Sequence, residues 1–515
     1  MPPILHVYPP APGARRSTAF EASVGGRPLF VEAFADVSYL RFAFEGRVRL
    51  RIGVRGPIGD WRVLPEQAIA GGGTNAKGDL VLDLSEPSSF VVWVGEREKL
   101  FVLADAPAPE PAADGDAVVA VAAVADGVRT AHLQAAIDRV AARPGGGTVL
   151  LLPGRHRTGT LRLPSRVALH VAAGALLEGV EDPAAYPVDP GRHETGPDAS
   201  LAPDRRFHGR TMTFSRLLLV DDAEGVRIRG HGTISGSGSA LRKRHGAVPN
   251  LIRVQGSRDV AIEDVLLRDA AAWTVHLLAS SDVALANVRV LNDRDNLNTD
   301  GIDPDMCSGV RIDRAFVYTK DDAVCVKASR NGELSGGVRD VRVTGSVLSA
   351  RDAALKIGSE TDATRIEDVV FEDCWVFESG RAMSVVVRDG ATVERVAFRR
   401  IVVDRGVDHL VEQVIGVREP EERLGVIRDL AFEHVTAPAY VVPPSAWTWY
   451  AQFRRSRPGE GSEVPVFEGA DERHPVDGLR LRNVVVRGQR LASADAARDV
   501  AGITIGDHVR NVDIG

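Results

Sequence analysis

Residues 259–290 read DVAIEDVLLRDAAAWTVHLLASSDVALANVRV, and the six-residue phrase that opens this stretch returns in altered form before its end. DVAIED sets Val260 and Ile262 two apart, and DVALAN does the same with Val283 and Leu285. Spacing of two is strand period, with alternate side chains on one face. Outward from here the phrase recurs as GVRIRG at Val226, GVRIDR at Val310, DVRVTG at Val341, DVVFED at Val369, RVAFRR at Val396, DLAFEH at Leu430 and GLRLRN at Leu479. The gaps run from 23 residues (283 − 260) to 49 (479 − 430). An inexact repeat of this length, each copy with an inward apolar pattern and a Gly, Asp or Asn turn, marks a β-solenoid, whose coils bury their apolar faces only by stacking. The expected fold is all-β: a right-handed parallel β-helix.

Upstream the texture changes. Residues 1–105 alternate short apolar segments, among them Val37–Phe44, Val48–Val54, Leu80–Leu84 and Phe90–Val94, with Gly, Pro and Asp turns. That pattern predicts a small antiparallel β-sandwich. APAPEPAADGDA is rich in Pro and Ala and poor in large apolar residues, so residues 106–118 are read as a linker and 119–515 as the β-helix. An amphipathic helix around Thr130–Ala142 precedes the first coils and is expected to cover their open end. The longest gap, between Leu430 and Leu479, should project as a loop, and its AWTWYAQFRR segment is a candidate groove wall.

Composition narrows the function. A chain of 515 residues, 44% apolar, can bury a large core, and 63 basic against 70 acidic residues, with no long basic run, argue against nucleic acid as a partner. No run of about 18 apolar residues occurs, so no membrane-spanning helix is expected. The first residues, MPPILHVYPPAPGARR, lack the pattern of a secretory signal, which reads as cytoplasmic for the sequence as written and as secreted if the N-terminus was trimmed. Cys307, Cys325 and Cys374 lack metal-ligand spacing and sit in apolar stretches, so they are read as core thiols.

The chemistry concentrates in NTDGIDPDMCSGVRIDRAFVYTKDDAVCVKAS, residues 298–329. Asp321 follows Asp300 by 21 residues, one coil, so Asp300, Asp321 and Asp322 should converge on one face of adjacent rungs roughly 4.8 Å apart. Glycoside hydrolysis needs one carboxyl to protonate the leaving oxygen and another to activate water, and crowding of like charges keeps one of them protonated. An Asp-Asp pair alone would read as a solvated turn; its spacing from Asp300 favours a site. Neither a metal nor a cofactor is called for, and the expected partner is a polysaccharide or oligosaccharide.

These residues resemble glycoside hydrolase family 28, the polygalacturonase family, whose motifs include NTDG followed about one coil later by a DD pair. The resemblance runs from about residue 126 to 404 and includes GHGTISGSG and AWTVHLLASSDVALANVRV. It implies that Asp321 is the general acid and that Asp300 and Asp322 activate the water, with inversion at the anomeric carbon. Two family motifs are altered. Asp352, Ala353 and Ala354 stand where the family has GHG, and His231, in an earlier GHG, is read as a turn residue. Ser384, Val385 and Val386 stand where the family's RIK engages galacturonate. Lys327 and Lys356 are new cations, either solvated, or tuning the acids, or receiving an acidic sugar. Trp273 is either core or a sugar platform, and His276 either meets a hydroxyl or satisfies acidic neighbours. Asn298 and Arg388, with Arg294 and Asp295, complete the groove candidates.

The sandwich and the altered motifs are also similar to the dextranase-like enzymes of family 49, which makes a glucan hydrolase the first alternative. A calcium-dependent β-helix lyase could use Asp300, Asp303, Asp305, Asp321 and Asp322 as ligands. A noncatalytic glycan-binding β-helix is the reading from a different class.

Overall fold

The computed structural model describes residues 3–95, 99–124, 127–187, 206–207, 210–211, 215–246, 249–329, 336–417, 423–454, 459 and 463–515. Three long parallel sheets of fourteen, twelve and nine strands wind round one core among these residues. The nine phrases all lie in the fourteen-stranded sheet, and the register runs through Val226, Val260, Val283, Val310, Val341, Val369, Val396, Leu430 and Leu479 in an unbroken ladder.

The local reason for the phrase is conformational. The residue before each of those nine has positive φ: Gly225, Asp259, Asp282, Gly309, Asp340, Asp368, Arg395, Asp429 and Gly478. So has the residue four after each, from Gly230 and Asp264 through to His434 and Asn483. Gly, Asp and Asn tolerate this left-handed region best, which is why the turn residues recur with the strand. Arg395 departs from that chemistry; its guanidinium is held by Glu367, Asp368 and Glu394 at 2.7–2.9 Å. Between the two bends, the residues two apart point inward: Val260 and Ile262 are 1% and 0% exposed. Each such burial stabilises by roughly 1.5–3 kcal/mol, and a slip of one residue would turn the whole set outward. Phe371, Phe398 and Phe432 stack with centroids 4.9 and 5.1 Å apart, the rung spacing itself.

Thr130–Ala141 forms the helix at the first coils and buries Leu133, Ala136, Ile137 and Val140 against them. Residues 106–117 carry no helix or strand, and Glu110 reaches His170 in the first coils.

The N-terminal strands make two sheets, of six and five strands, around a core of their own. All their pairings are antiparallel except that of Val37–Glu45 with Lys99–Asp105, which is parallel. Their sequence patterns differ for a physical reason. Leu80–Leu84 buries Leu80, Leu82 and Leu84 and leaves Val81 and Asp83 partly exposed. Lys99–Asp105 is apolar almost throughout because both of its faces are covered. Leu100 and Val102 enter the sandwich core, while Phe101 and Leu103 pack on Leu266, Leu291, Phe316 and Tyr318 of the twelve-stranded sheet. The sandwich thus lies on the outer face of that sheet, and the nine-stranded sheet is left for the site.

Charged groups pin this seam. Arg289 meets Asp105 at 2.5 Å with both side chains fully buried, and Arg268 meets Glu32 at 2.5 Å and the Tyr39 hydroxyl at 2.9 Å. His231 sits at a bend, buried, stacked on Tyr8 and facing Asp105. Arg294 belongs here and not to the groove: it donates to the Glu378 carbonyl and lies 4.5 Å from the Tyr318 ring centroid. A long guanidinium stem just past a strand end reaches across to the neighbouring sheet's outer face.

Candidate active site

Asp300 sits two residues before the strand Ile302–Asp305, and Asp321 and Asp322 just before Val324–Ala328, its neighbour in the nine-stranded sheet. Stacking is direct: the Gly301 N–H donates to the Asp322 carbonyl at 2.8 Å. A Cβ on Gly301 would fall 2.4 Å from the Ala323 oxygen, so the glycine of NTDG is required by the close approach of the rungs. Beneath both loops Asn292, fully buried, donates to the Thr274 hydroxyl at 2.8 Å, the Thr319 hydroxyl at 3.2 Å and the Thr299 carbonyl at 3.3 Å. One amide therefore ties together the segments that lead into Asp300 and Asp321, a role that no motif marked in the sequence.

Asp300, Asp321 and Asp322 each bring one carboxylate oxygen within 4.8 Å of the others. Lys327 Nζ lies 2.8 Å from Asp300 and 3.2 Å from Asp303, and Lys356 Nζ lies 2.8 Å from Asp322 and donates to the Tyr450 hydroxyl at 3.0 Å. Both lysines are buried, at 3% and 1% exposed, so neither is a solvated surface cation. Burial disfavours their charge, yet Asp300 and Asp303 hold Lys327, and Asp322 holds Lys356, well above the usual lysine range.

The acids divide accordingly. Burial pushes Asp321 up and the adjacent Asp322 adds to it, while Lys356 and Lys327 pull less strongly from a distance. Burial also pushes Asp300 up; Lys327 opposes it, and Asp303, Asp321 and Asp322 add to the rise. With the ammonium at 2.8 Å, the ion pair is the form of Asp300 that this geometry favours. Asp303, wholly buried, is raised to about 7, by burial first. Among the described residues Asp321 thus stands without an ammonium at contact distance while both companions have one, an arrangement suited to one acid and two bases.

Among the remaining groove candidates, Trp273 is partly exposed, with Lys327 3.9 Å from its ring centroid and His276 edge-on at 4.7 Å. His276 is buried and bonds Asp305 at 3.1 Å; burial lowers it to about 4, so it is neutral near pH 7. Asn298 has left-handed φ at the loop before Asp300, and Asp295 is exposed beside it. Arg388 is buried and lies 3.6 Å over the Phe453 ring, near Trp449 and Tyr450. Those rings belong to the single turn Trp449–Phe453 in the long gap after Leu430, which brings aromatic side chains beside Lys356 and Arg388. Ser384, one rung past Lys356, donates to Glu412 at 2.5 Å, and Arg381 pairs with Asp352 and Glu412.

Asp303, Tyr450, Glu360 and Glu412 are the site members that sequence reasoning did not place there as partners of the lysines and the acids. Asp303 carried a signal, its place in NTDGID, and Tyr450 lies in AWTWYAQFRR, the candidate groove wall; Glu412 comes from a later coil and carried none. Among the described residues, two groups have carboxylate or imidazole atoms close enough for a divalent cation: Asp300, Asp321 and Asp322, and Asp105, His231 and Asp264. In each a cationic side chain already occupies part of the ligand set, Lys327 and Lys356 in the first and Arg289 in the second. No helix among the described residues is long and apolar enough to cross a membrane.

A family model for glycosyl hydrolases family 28 matches residues 208–407, the span that holds the three acids and both lysines. A probable polygalacturonase of Vitis vinifera is 26% identical over 251 residues, which is 41% of this chain and 50% of that protein, so the chain spans about half the length of that curated relative. Among solved structures, an exopolygalacturonase from Thermotoga maritima superposes with a TM-score of 0.55 at 18% identity, covering 69% of this chain and 83% of its own. Dex49A from Penicillium minioluteum superposes with a TM-score of 0.60 at 11% identity, covering 99% of this chain and 96% of its own, sandwich included. At these identities the two structures speak for the fold alone.

Proposed function

We propose that this chain, polygalacturonase-like by its family 28 match, is a glycoside hydrolase that cleaves O-glycosyl bonds in a polysaccharide or oligosaccharide. The observation that carries the reading is the asymmetry among the three acids: Asp300 and Asp322 each face a buried lysine at 2.8 Å, and Asp321 does not. Asp321, its carboxyl raised by burial and by Asp322, keeps its proton and gives it to the leaving oxygen. Asp300 and Asp322, paired with Lys327 and Lys356 at 2.8 Å, are the bases that together accept one proton from the attacking water. No cofactor enters these steps.

Inversion is the outcome implied by the family resemblance. The nearest oxygens of the trio approach within 4.8 Å, closer than the roughly 6.5–9.5 Å usual between inverting carboxyls. Following the anomer of the first product by proton NMR decides it: retention would make one of the trio a nucleophile. Reducing-end release from polygalacturonate, rhamnogalacturonan, dextran and pullulan, comparing wild type with Asp321→Asn, tests the function itself. Release by wild type alone is expected; equal release by Asp321→Asn would remove Asp321 from the acid role.

The closeness of the trio to a cation geometry favours one second reading, a calcium-dependent lyase. Activity lost on chelation, with unsaturated products absorbing in the ultraviolet, would replace the hydrolase by it.

A further inference from the structure

The charge balance of the groove bears on what it can receive. Five carboxyls gather at the acids: Asp300, Asp303, Asp321, Asp322 and, 3.9 Å from Lys327 and 30% exposed, Glu360. Three ammonium groups act on them: Lys327, Lys356 and, at the partly exposed rim beside Asp321, Lys320. Lys327 is shared among Asp300, Asp303 and Glu360, and Lys356 between Asp322 and the Tyr450 hydroxyl. Lys327 thus faces three carboxylates, and Lys356 already has one carboxylate and one hydroxyl. The next two rungs carry no cation at the same position: Lys356 is followed by Ser384 and then Glu412, hydroxyl bonded to carboxylate. Arg381, on the same strand as Ser384, is taken by Asp352 and Glu412.

What the groove offers instead suits an uncharged ring. Carboxylate oxygens accept hydrogen bonds from sugar hydroxyls without a change of charge. Beside Tyr450, Trp449 is 53% exposed, the one aromatic among the large apolar side chains exposed in the described residues. An exposed indole beside the tyrosine that meets Lys356 fits the C–H face of a neutral sugar.

Resting on the hydrolase reading, we infer that the ring held over Asp300, Asp321 and Asp322 is a neutral sugar, one without a carboxylate. Lys327 and Lys356 are internal counterions of the acids, not receptors for an acidic substrate. A uronate bound there would add a sixth carboxylate to a pocket whose two buried lysines each already face a carboxylate.

The test uses wild-type protein and matched substrates: polygalacturonate and rhamnogalacturonan, each beside the same polymer with its carboxylates reduced to primary alcohols, together with dextran and pullulan. Reducing ends should appear from at least one neutral polymer about tenfold or more faster than from any charged one. Faster release from the charged member of a pair overturns the inference and leaves hydrolysis standing. Silence on every polymer sinks the hydrolase reading instead. The inference is then decided by calorimetric binding of oligomers of the same pairs: tighter binding of the neutral member sustains it, and equal or tighter binding of the charged one overturns it.

Discussion

Asp105 in the seam and Asp303 in the groove are both aspartates with fully buried side chains, and their carboxyls behave in opposite ways. For each, burial pushes the pKa up. At Asp105 the neighbours are Arg289, His231 and Arg41, and together they outweigh burial and hold the carboxyl well below its usual range. At Asp303 a single lysine, itself shared with Asp300, is set against burial and the charges of Asp322 and Asp305, and the carboxyl rises to about 7. Burial is the same in the two places; the company differs. The seam, between a sandwich strand and the β-helix, favours a charged aspartate, and the groove, within the β-helix, favours a protonated one.

The largest expected effect breaks the groove without touching the seam. Asp321→Asn should lower kcat by about 10²–10⁴-fold while the melting temperature moves by no more than a few degrees, since the amide keeps the shape. Loss of fold in that variant, seen by circular dichroism, would mean that the acid is structural.

Next come the two clamps themselves. Arg289→Met leaves Asp105 charged in the buried seam and should cost about 3–5 kcal/mol in denaturant unfolding, largely recovered by adding Asp105→Asn. Lys356→Met should cost a similar amount through Asp322, but Lys356→Met with Asp322→Asn should recover stability and not turnover. A double variant that regains activity would show Asp322 to be dispensable.

The two sites should also pull stability in opposite directions with pH. Asp303 binds its proton more tightly folded than unfolded, so its contribution is full below pH about 4 and is lost as pH rises toward about 7. Asp105 binds its proton more weakly folded, so its contribution is present above pH about 4 and is lost as pH falls. Melting temperature against pH should therefore fall less steeply between pH 4 and 7 in Asp303→Asn than in wild type. Asp105→Asn should remove the most stability at pH 7 and progressively less as pH falls below about 4; parallel curves for both variants would erase the distinction.

The smallest effect is at the groove's edge. Trp449→Ala should raise KM several-fold, about 1 kcal/mol, with melting temperature unchanged because the indole is half exposed. An unchanged KM would take the ring out of substrate binding.

Much of the fold was legible because each coil repeats a local requirement. Two left-handed bends favour Gly, Asp or Asn, and the residues between them must alternate in and out, so the phrase around Val260 could be found again as far as Leu479. Lys99–Asp105 read poorly as a sandwich strand because its second buried face is made by residues more than 150 positions away. Arg294 misread for a related reason: in sequence it stands six residues before Asp300, yet its side chain leaves the groove for Glu378 and Tyr318.

The sequence by itself determined the solenoid and the convergence of Asp300, Asp321 and Asp322. A coil length equal to the spacing of the acids puts them on adjacent rungs whatever the loops do. Only the tertiary structure decided what the acids meet there. Whether Lys327 and Lys356 face solvent, substrate or carboxylate depends on side-chain direction and on Tyr450 and Glu412 arriving from distant coils. Charge state follows from those neighbours within a few ångströms, and no local pattern in the chain records them.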